Sequence, residues 1–517
     1  MPHLPEATPP ALNTPGTLNA RLWAVSPRYS PPTTPLRSYF IHGSILLLWL
    51  GLFAMAFRFT GLLAWSTGIV YVVYDTVLLV FVFWQTLRLV APGNPTTGSG
   101  RTDFRASGSV TPGVTVGVIV AARNEAAVLP ITLAALLGQS SPPDDIVVAD
   151  DGSTDDTAAL MLRLYGLAEP ALGTLSAPGP THPSLRWLRL PHGGKAAALN
   201  AAILQMMTDT VLTVDGDTLL EPEAIGAVRA AFSREPALVA ATGVLAPVCD
   251  ASVGGRLFQW FQTYEYMRNF LSRYAWMRVD SLLLISGAFA GFRRQALVEV
   301  GGFDADCLVE DYELIHRLRR HAALNGLGWT TRVLGDARAR TEAPSHMGAF
   351  LRQRRRWFGG FLQTQYWYRD MVGDSRYGWL GMAMLPVKAV DTLQPLYGLT
   401  AFFLLLFYLG RSISTGTLGV LAPVGGVIAA KIVVDLMFHM WSVHLYRRWA
   451  ESHSADGGPQ RFSRPSASFG YAFLAVLAEP FTFQILRHTG AAWGWLYFVT
   501  GQRSWGKQSR GGLLPPG

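Results

Sequence analysis

Long apolar segments stand toward both ends of this 517-residue chain, and one long mixed segment separates them. Near the start, apolar runs extend from Phe40 to Phe57 and from about Leu62 to Leu87, and an arginine follows each run. Either run is long enough to cross a hydrocarbon core about 30 Å thick, because a helix rises about 1.5 Å per residue. The pattern therefore predicts a transmembrane helical hairpin over residues 39–91.

The apolar pattern returns after the mixed segment and predicts interfacial and transmembrane helices over residues 372–501. The stretch from Tyr377 to Ala389 is typical of an interfacial segment, and apolar runs at about Leu393–Leu409 and Leu418–Val443 predict two further crossings. The stretch from Ala467 to Thr500 is too long for one crossing and short for two. We expect a re-entrant segment or a tight hairpin there.

Between these regions, residues 114–371 have the alternating pattern of an α/β domain. Runs rich in β-branched residues at Val114–Val120, Ile146–Ala149 and Val211–Val214 predict strands, and stretches with helical periodicity lie between them. Alternating strands and helices predict a mostly parallel sheet, whose ligands collect at the carboxyl ends of its strands. Acidic residues follow the second and third runs, so we expect them to meet in one cleft.

The remaining segments are rich in residues that favour irregular structure. Residues 1–38 contain many Pro, Thr and Ser and lack the pattern of a signal peptide, which predicts a disordered cytoplasmic tail. Gly, Ser, Thr and Pro mark residues 92–113 as a linker, and residues 502–517 form a basic tail.

The composition is typical of a membrane protein. Half of the residues are hydrophobic, 15% are charged, and the mean hydropathy is +0.24. The net charge of +8 does not indicate a nucleic acid partner, because no Lys/Arg-rich block or nucleic-acid motif accompanies it. We assign the excess to positions beside membrane segments, which predicts an integral protein of the bacterial inner membrane, in contact with lipid, with a cytoplasmic middle domain. Cys249 and Cys307 lack the spacing of a disulfide framework or a zinc site.

Four polar clusters follow one another through the middle domain. They are Asp150-Asp151-Gly152-Ser153, Asp215-Gly216-Asp217, Glu310-Asp311 and Gln353-Arg354-Arg355-Arg356-Trp357. A donor with a diphosphate needs a divalent cation held by oxygen ligands, a base for the acceptor hydroxyl, and cationic groups for the leaving diphosphate. The clusters supply these groups, which indicates a sugar-nucleotide transferase.

In order and spacing the clusters resemble those of inverting family 2 glycosyltransferases, the membrane-bound group that includes cellulose, chitin, hyaluronan and poly-N-acetylglucosamine synthases. The resemblance runs from about Val114 to Phe358 and includes a Gly-Lys-x-x-x-Leu-Asn segment at residues 194–200. It implies a GT-A-like fold and a metal-dependent hexosyltransferase that uses a UDP-sugar, UDP-N-acetylglucosamine before UDP-glucose. It also implies that the enzyme extends a β-linked polysaccharide and exports it across the membrane.

The resemblance implies a role for each matching residue. One of the two aspartates at the end of the second predicted strand, Asp150 or Asp151, is expected to contact uracil. The expected set is Asp311 and Glu310 for catalysis; Asp150, Asp151, Lys195, Asn200 and Arg356 for the donor; Gln353 and Trp357 for the acceptor; and Asp215 and Asp217 for Mg2+ or Mn2+. Asp311 is the expected base, which takes the proton from an acceptor hydroxyl in a single displacement.

Each cluster also fits an ordinary structural role. Asp, Gly and Ser favour turns, an Asp-x-Asp triplet occurs by chance in many loops, and Lys195 fits a solvated loop lysine. Glu310-Asp311 fits the start of an amphipathic helix, and the arginines before Trp357 fit a stripe at the membrane surface.

Two other functions fit the same sequence. A glycolipid synthase would use the same four clusters to transfer a single sugar to a membrane lipid acceptor. A transporter or scaffold without catalysis is suggested by Asp75 and by three later residues in or near apolar segments, Asp391, Lys431 and Asp435, because charge there is costly unless paired or facing water. The same three residues would also suit a path for a growing polysaccharide.

Overall fold

The computed structural model describes residues 15–90, 113–452 and 469–501, and its centre is one eight-stranded sheet. The strands are β1 (Val116–Ala122), β2 (Asp145–Asp151), β3 (Leu185–Leu190), β4 (Thr210–Asp215), β5 (Thr218–Leu220), β6 (Leu238–Val248), β7 (Phe289–Arg293) and β8 (Thr330–Glu342). The three strands predicted from β-branched runs correspond to β1, β2 and β4, and their ends agree to within about two residues, the usual uncertainty of such boundaries.

The strand order is β3-β2-β1-β4-β7-β6-β8-β5. The first four strands in this order pair in parallel, as do β6 and β8. β7 runs antiparallel to β4 and β6, and β5 runs antiparallel to β8. The sheet is therefore parallel on the side that the alternating pattern predicted and mixed on the other, as in a GT-A-like fold.

Helices cover both faces of the sheet and continue into the apolar regions. They are α1 (Pro15–Val25), α2 (Leu36–Ala56), α3 (Gly61–Ala64), α4 (Ser66–Thr86), α5 (Leu129–Leu137), α6 (Thr157–Tyr165), α7 (Lys195–Gln205), α8 (Ala224–Arg234), α9 (Val253–Arg278), α10 (Arg294–Glu299), α11 (Glu310–Leu324), α12 (Met347–Trp367), α13 (Leu385–Thr415), α14 (Ala422–Ser452), α15 (Phe469–Ala478) and α16 (Phe483–Val499). Short 3-10 turns follow α4 and α15 and precede α14, and a π-helical turn, Leu380–Met384, precedes α13.

The central strands are buried on both faces. In β1, Val118 and Val120 belong to one apolar cluster and Ile119 to the other, because alternate residues of a strand point to opposite sides. A strand covered on both faces reads as a continuous apolar run. Polar residues are left at the carboxyl ends, where Asp151 and Asp215 stand.

Within the part of the chain that the structure describes, four helices are long and apolar enough to cross a membrane: Leu36–Ala56, Ser66–Val90, Leu380–Thr415 and Leu418–Arg447. They correspond to the predicted hairpin and the two predicted crossings after the soluble domain. The interfacial stretch predicted from Tyr377 is continuous with the third helix from Leu380 onward. Lys388 and Asp391 lower the local hydropathy there, but they pair with each other and so can lie within a helix bundle.

The last apolar stretch forms two helices, α15 and α16, which meet at a bend of 47°. Pro480 lies in the 3-10 turn between them and cannot donate a backbone hydrogen bond. A bend of this size fits a broken span or a re-entrant segment and does not fit a tight hairpin.

The prediction of a disordered tail over residues 1–38 is wrong for residues 15–38. Leu18 and Leu22 lie four residues apart on one face of α1 and are 2% and 4% exposed, because they pack on the soluble domain. The Pro- and Thr-rich composition did not indicate α1, because this short helix is stabilised by packing on residues that are distant in the sequence.

Arg28 secures the same segment. Its guanidinium donates to both carboxylate oxygens of Asp304, at 2.6 and 2.7 Å, and to Asp306 at 2.6 Å. Residues 1–14, the linker up to residue 112 and the basic tail 502–517 lie outside the described residues.

Candidate active site

Two parallel strand pairings bring the first acids together. β1 lies between β2 and β4, with Ala122 opposite Asp150 and Ala121 opposite Asp215. The carboxyl ends of these strands therefore form one edge, and the predicted cleft lies there. We call the group formed by Asp215, Asp217, Glu310, Asp311 and Lys195 at this edge the acid cleft.

The Asp215-Gly216-Asp217 turn has room only for glycine at its centre. A Cβ on Gly216 would lie 1.6 Å from an Oε atom of Glu125, which follows β1 and is buried. The Gly216 carbonyl accepts a hydrogen bond from the Thr132 hydroxyl at 2.7 Å, so α5 also holds the turn in place. Glu125 was not among the predicted site residues, because nothing local links it to this turn.

Negative charge accumulates around Asp217. Burial, and then the charges of Asp215 and Glu342, raise the pKa of Asp217 to about 8. Glu342 ends β8, and its backbone N–H donates to the Asp217 carbonyl at 3.2 Å. Such crowded carboxylates favour a bound cation, and oxygen ligands suit Mg2+ or Mn2+.

The protein supplies only part of a metal coordination shell. Among residues 15–90, 113–452 and 469–501, no three His, Cys, Asp or Glu side chains are grouped so that they could hold a metal ion. Asp215 and Asp217 would hold a cation only in an open site, where oxygens from other groups would have to provide the remaining ligands.

Lys195 lies among these acids and is not a solvated loop lysine. It begins α7 after Gly194, whose φ of 91° favours glycine, and it forms an ion pair with Asp215. Its Nζ is 3.9 Å from Glu310. Burial alone would lower the pKa of Lys195, but Asp215, Glu310 and Asp311 raise it, so the ammonium stays charged.

The two acids at the end of β2 are buried and hold loops. Asp151 accepts hydrogen bonds from the backbone N–H groups of Gly193 and Gly194, at 2.7 and 3.0 Å, and contacts His192 at 2.8 Å. Asp150 accepts from the Ser153 N–H at 2.8 Å. Asp151 thus positions the loop before Lys195, and direct contact of either aspartate with the donor stays a prediction.

The acid pair begins α11, and Asp311 is held in a fixed orientation. Its Oδ2 accepts from the Gly287 N–H at 2.7 Å and its Oδ1 from the Tyr312 N–H at 2.8 Å. The carbonyl of Ala288, beside Gly287, accepts from the Asp215 N–H at 3.3 Å. The start of α11 therefore lies in the acid cleft. If Asp311 acts as the base, it does so close to Asp215.

Glu310 is 3% exposed. Burial raises its pKa to about 7, with Lys195 opposing the shift, Asp311 adding to it and Arg356 opposing it again. Arg356 therefore lies near the acid cleft, and it donates to the Leu308 carbonyl at 3.2 Å. This placement favours the predicted role of Arg356 beside a departing diphosphate.

The other predicted residues of the domain have different surroundings. Trp357 is half-buried and packs against the main apolar cluster, and the Gln353 Oε1 atom has no hydrogen-bond partner among the described residues. Asn200 donates to the Phe303 carbonyl and accepts from the Phe303 N–H, both at 2.8 Å. Asn200 therefore ties α7 to the segment before α11, and its donor contact stays a prediction.

Sequence reasoning also missed Arg273 on α9. Burial lowers the pKa of Arg273, whereas the charges of Tyr266 and Asp311 raise it. Its Nε atom has no hydrogen-bond partner among the described residues. Arg273 is therefore near enough to Asp311 for their charges to interact.

A second polar region lies among the candidate spans. A cavity of about 320 Å³ is lined by α4, α9, α13, α14, α15, α16 and the turn before α16, and we call it the helix cavity. Lys431 lines it and pairs with both Asp75, at 2.8 Å, and Asp435. Asp391 does not line it: this residue pairs with Lys388 at 2.7 Å and accepts from the Tyr74 hydroxyl at 2.5 Å.

Comparison with known proteins adds to this geometry. Residues 112–360 match the model of "Glycosyltransferase like family 2". The chain is 30% identical over 169 residues to a poly-beta-1,6-N-acetyl-D-glucosamine synthase of Staphylococcus aureus, which covers 32% of this chain and 38% of that protein. It is 30% identical over 238 residues to an N-acetylglucosaminyltransferase of Sinorhizobium fredii, which covers 42% and 54%.

The fold has a solved counterpart. A mannosyltransferase from Pyrobaculum calidifontis, solved with GDP-Man and Mn2+, superposes with a TM-score of 0.50 over 81% of this chain and 99% of that one. At 18% identity the likeness concerns the fold alone.

Proposed function

We propose that this chain, which carries a glycosyltransferase family 2 domain over residues 112–360, is an inverting β-glycosyltransferase that extends a polysaccharide from a UDP-sugar. The observation that carries the proposal is the acid cleft, where Asp215, Asp217 and Asp311 meet beside Lys195. The names of the two sequence relatives favour UDP-N-acetylglucosamine as donor over UDP-glucose.

The chain's own groups account for each step of a single displacement. Asp311, fixed by two backbone N–H groups, accepts the proton of an acceptor hydroxyl while that oxygen bonds to the anomeric carbon. The bond from that carbon to the diphosphate breaks, and UDP leaves with its electron pair. Arg356 and Lys195 provide positive charge for the leaving group. Because attack and departure occur on opposite faces, an α-linked donor gives a β-linked product.

Asp215 and Asp217 would hold Mg2+ or Mn2+, which neutralises diphosphate charge when bound. The mannosyltransferase that shares the fold was solved with Mn2+, an ion of this class. The crowding of acids around Asp217 supports the assignment independently of that protein.

We also propose that the growing polysaccharide is exported across the membrane, and the helix cavity supports this part of the proposal. The cavity is bordered by α9, by three of the four candidate spans (α4, α13 and α14), and by the bent pair α15 and α16. Lys431 and Asp435, which the sequence suggested for such a path, line it together with Asp75, whereas Asp391 does not. Its charges pair with one another, which suits a neutral sugar chain better than an ion.

Membranes that contain the protein should release UDP from one member of a panel of UDP-sugars in the presence of Mg2+ or Mn2+. Product size separates a polymer from a single sugar on lipid, and donor supplied to one face of sealed vesicles tests export. Membranes with Asp311→Asn are the matched control. UDP release equal in the two preparations would overturn the proposal, and a single-sugar lipid product would leave a glycolipid synthase in its place.

A further inference from the structure

The three neighbouring arginines of α12 have three different partners. Arg356 reaches toward the acid cleft, and Arg355 lies over the rings of Trp493 and Tyr497, 4.6 and 4.4 Å from their centroids. Arg354 turns to α9. Consecutive helix residues point about 100° apart, so one short segment contacts the cleft, α16 and α9 at once.

Arg354 contacts one carboxylate and two aromatic rings. Its two terminal nitrogens donate to the two carboxylate oxygens of Glu265, at 2.7 and 2.8 Å, and both side chains are 5% exposed. Its guanidinium carbon lies 4.5 Å from the ring centroids of both Phe350 and Trp357. A planar cation stacks on aromatic rings and binds a carboxylate through two parallel bonds, which a lysine cannot do.

α16 closes the remaining side. A Cβ on Gly490 would lie 2.6 Å from the Arg354 Cβ, so the helix backbone leaves the arginine no other space. The ring of Trp357 therefore rests on a cation whose own position is set by Glu265.

Glu265 also belongs to the helix cavity. It lines the cavity, and the Arg487 guanidinium lies 3.8 Å from its carboxylate. Arg487 is in turn 4.0 Å from Glu479, which forms an ion pair with Arg268 at 2.6 Å. One carboxylate thus connects the charges around the helix cavity, through Arg354, with the ring of Trp357.

We infer that Glu265 is a positioning residue for the acceptor: through Arg354 it sets the ring of Trp357, on which the acceptor's terminal sugar rests. The inference depends on the proposed function, because that function places the sugar on Trp357. Without the carboxylate, Arg354 is left as a buried cation without its two hydrogen bonds, and it must shift. The ring shifts with it, while the donor residues on β2 and α7 are unchanged.

A displaced acceptor has a specific kinetic signature. The donor still binds and is still activated, so water attacks it more often relative to the acceptor hydroxyl. A misplacement of about 1 Å can reduce a rate about 100-fold, because the reacting atoms must meet in one geometry. A defect that merely loosened the domain would weaken donor binding and transfer together.

The experiment uses Glu265→Gln, which keeps the shape and one acceptor oxygen and removes the charge. UDP-N-acetylglucosamine and a β-1,6-linked N-acetylglucosamine tetrasaccharide serve as donor and acceptor in membranes. We expect KM for the tetrasaccharide to rise about 10- to 100-fold, KM for the donor to change less than about twofold, and the share of free sugar in the product to increase.

The matched control is Glu235→Gln. Glu235 also binds an arginine through both oxygens, with Arg332 donating at 2.9 and 3.1 Å, but this pair lies at the far end of α8. It should leave both KM values and the free-sugar share as in the wild type.

Arg354→Lys is the second variant and keeps the charge without the planar fork. It should shift the same quantities in the same direction, even if Glu265→Gln is lost to misfolding. An unchanged acceptor KM and free-sugar share in the variants that insert, or an equal loss for donor and acceptor, would overturn the inference. If wild-type membranes transfer no sugar at all, the proposed function fails, and that result is seen before any variant is compared.

Discussion

The acid cleft and the helix cavity both bury charged side chains, but they balance charge in opposite ways. In the cleft, carboxylates outnumber cations: Asp215, Asp217, Glu310, Asp311 and Glu342 face Lys195 and Arg356. In the cavity each acid has a basic partner: Asp75 and Asp435 share Lys431, Glu479 pairs with Arg268, and Glu265 pairs with Arg354.

This difference in charge balance indicates which kind of ligand each region would bind. A bound cation, together with a diphosphate that the cation binds, would neutralise the excess negative charge of the cleft. Until such ligands bind, repulsion between the carboxylates destabilises the folded state. In the cavity the acidic and basic side chains neutralise one another, so no ligand is needed to balance their charge. The cavity presents polar groups without a net attraction for ions. Neutralising an acid of the cleft should therefore not destabilise the protein, whereas removing the cation that two acids of the cavity share should destabilise it.

The largest effect is expected for Asp311→Asn. Removing a general base typically lowers the rate about 10^2- to 10^4-fold, because no other group accepts the hydroxyl proton. UDP affinity, measured by calorimetry, should be close to that of the wild type. Lost UDP binding with an unchanged rate at saturating donor would show that Asp311 is a donor ligand and that the base lies elsewhere.

Asp217→Asn tests the cation site and the charge balance of the cleft together. Loss of metal stabilisation worth about 4 kcal/mol should lower the rate about 10^3-fold. The thermal midpoint without added metal should stay the same or rise, because one of several mutually repelling acids is removed. Near-normal turnover in this variant would exclude Asp217 as a metal ligand.

In the helix cavity, Lys431→Ala should destabilise the protein. It leaves Asp75 and Asp435 without their shared cation, and breaking a buried ion pair typically costs about 3–5 kcal/mol. Thermal unfolding in detergent measures the loss. Asp75→Asn is the control, because the pair between Lys431 and Asp435 remains, and a cost equal to that of Lys431→Ala would mean that the cavity is not balanced as described.

The smallest effect is expected for Gly216→Ala. The new methyl group meets the Glu125 carboxylate, and overpacking of this kind costs about 1–3 kcal/mol. Adding Glu125→Ala should recover part of the lost stability, since it removes the obstructing atoms. Chemical denaturation of the two variants and the pair would show this, and additive losses would place the strain elsewhere.

The sequence could indicate where the acids of the cleft lie, because the features that place them are local. A strand that is apolar on both faces and ends in aspartate is visible in a few consecutive residues, as at Asp151 and Asp215. The pair Glu310-Asp311 is likewise readable as a helix start. Parallel pairing then brings the strand ends to one edge without further information.

The missed residues all depend on packing between distant segments. Glu342 approaches Asp217 only because β8 lies beside β5, and Glu265 meets Arg354 only because α9 crosses α12. Asn200 is a further case: its motif implies a donor contact, which stays a prediction, and nothing in the sequence indicated that its amide hydrogen-bonds the Phe303 backbone. Local patterns carry no information about such partners.

The ion pair between Arg28 and Asp304 constrains membrane topology. Two residues in direct contact lie on the same side of any bilayer, so the chain between them crosses it an even number of times. Two candidate spans, Leu36–Ala56 and Ser66–Val90, fall within that interval. They must therefore insert together or not at all, and insertion of one alone would separate α1 from the domain on which it rests.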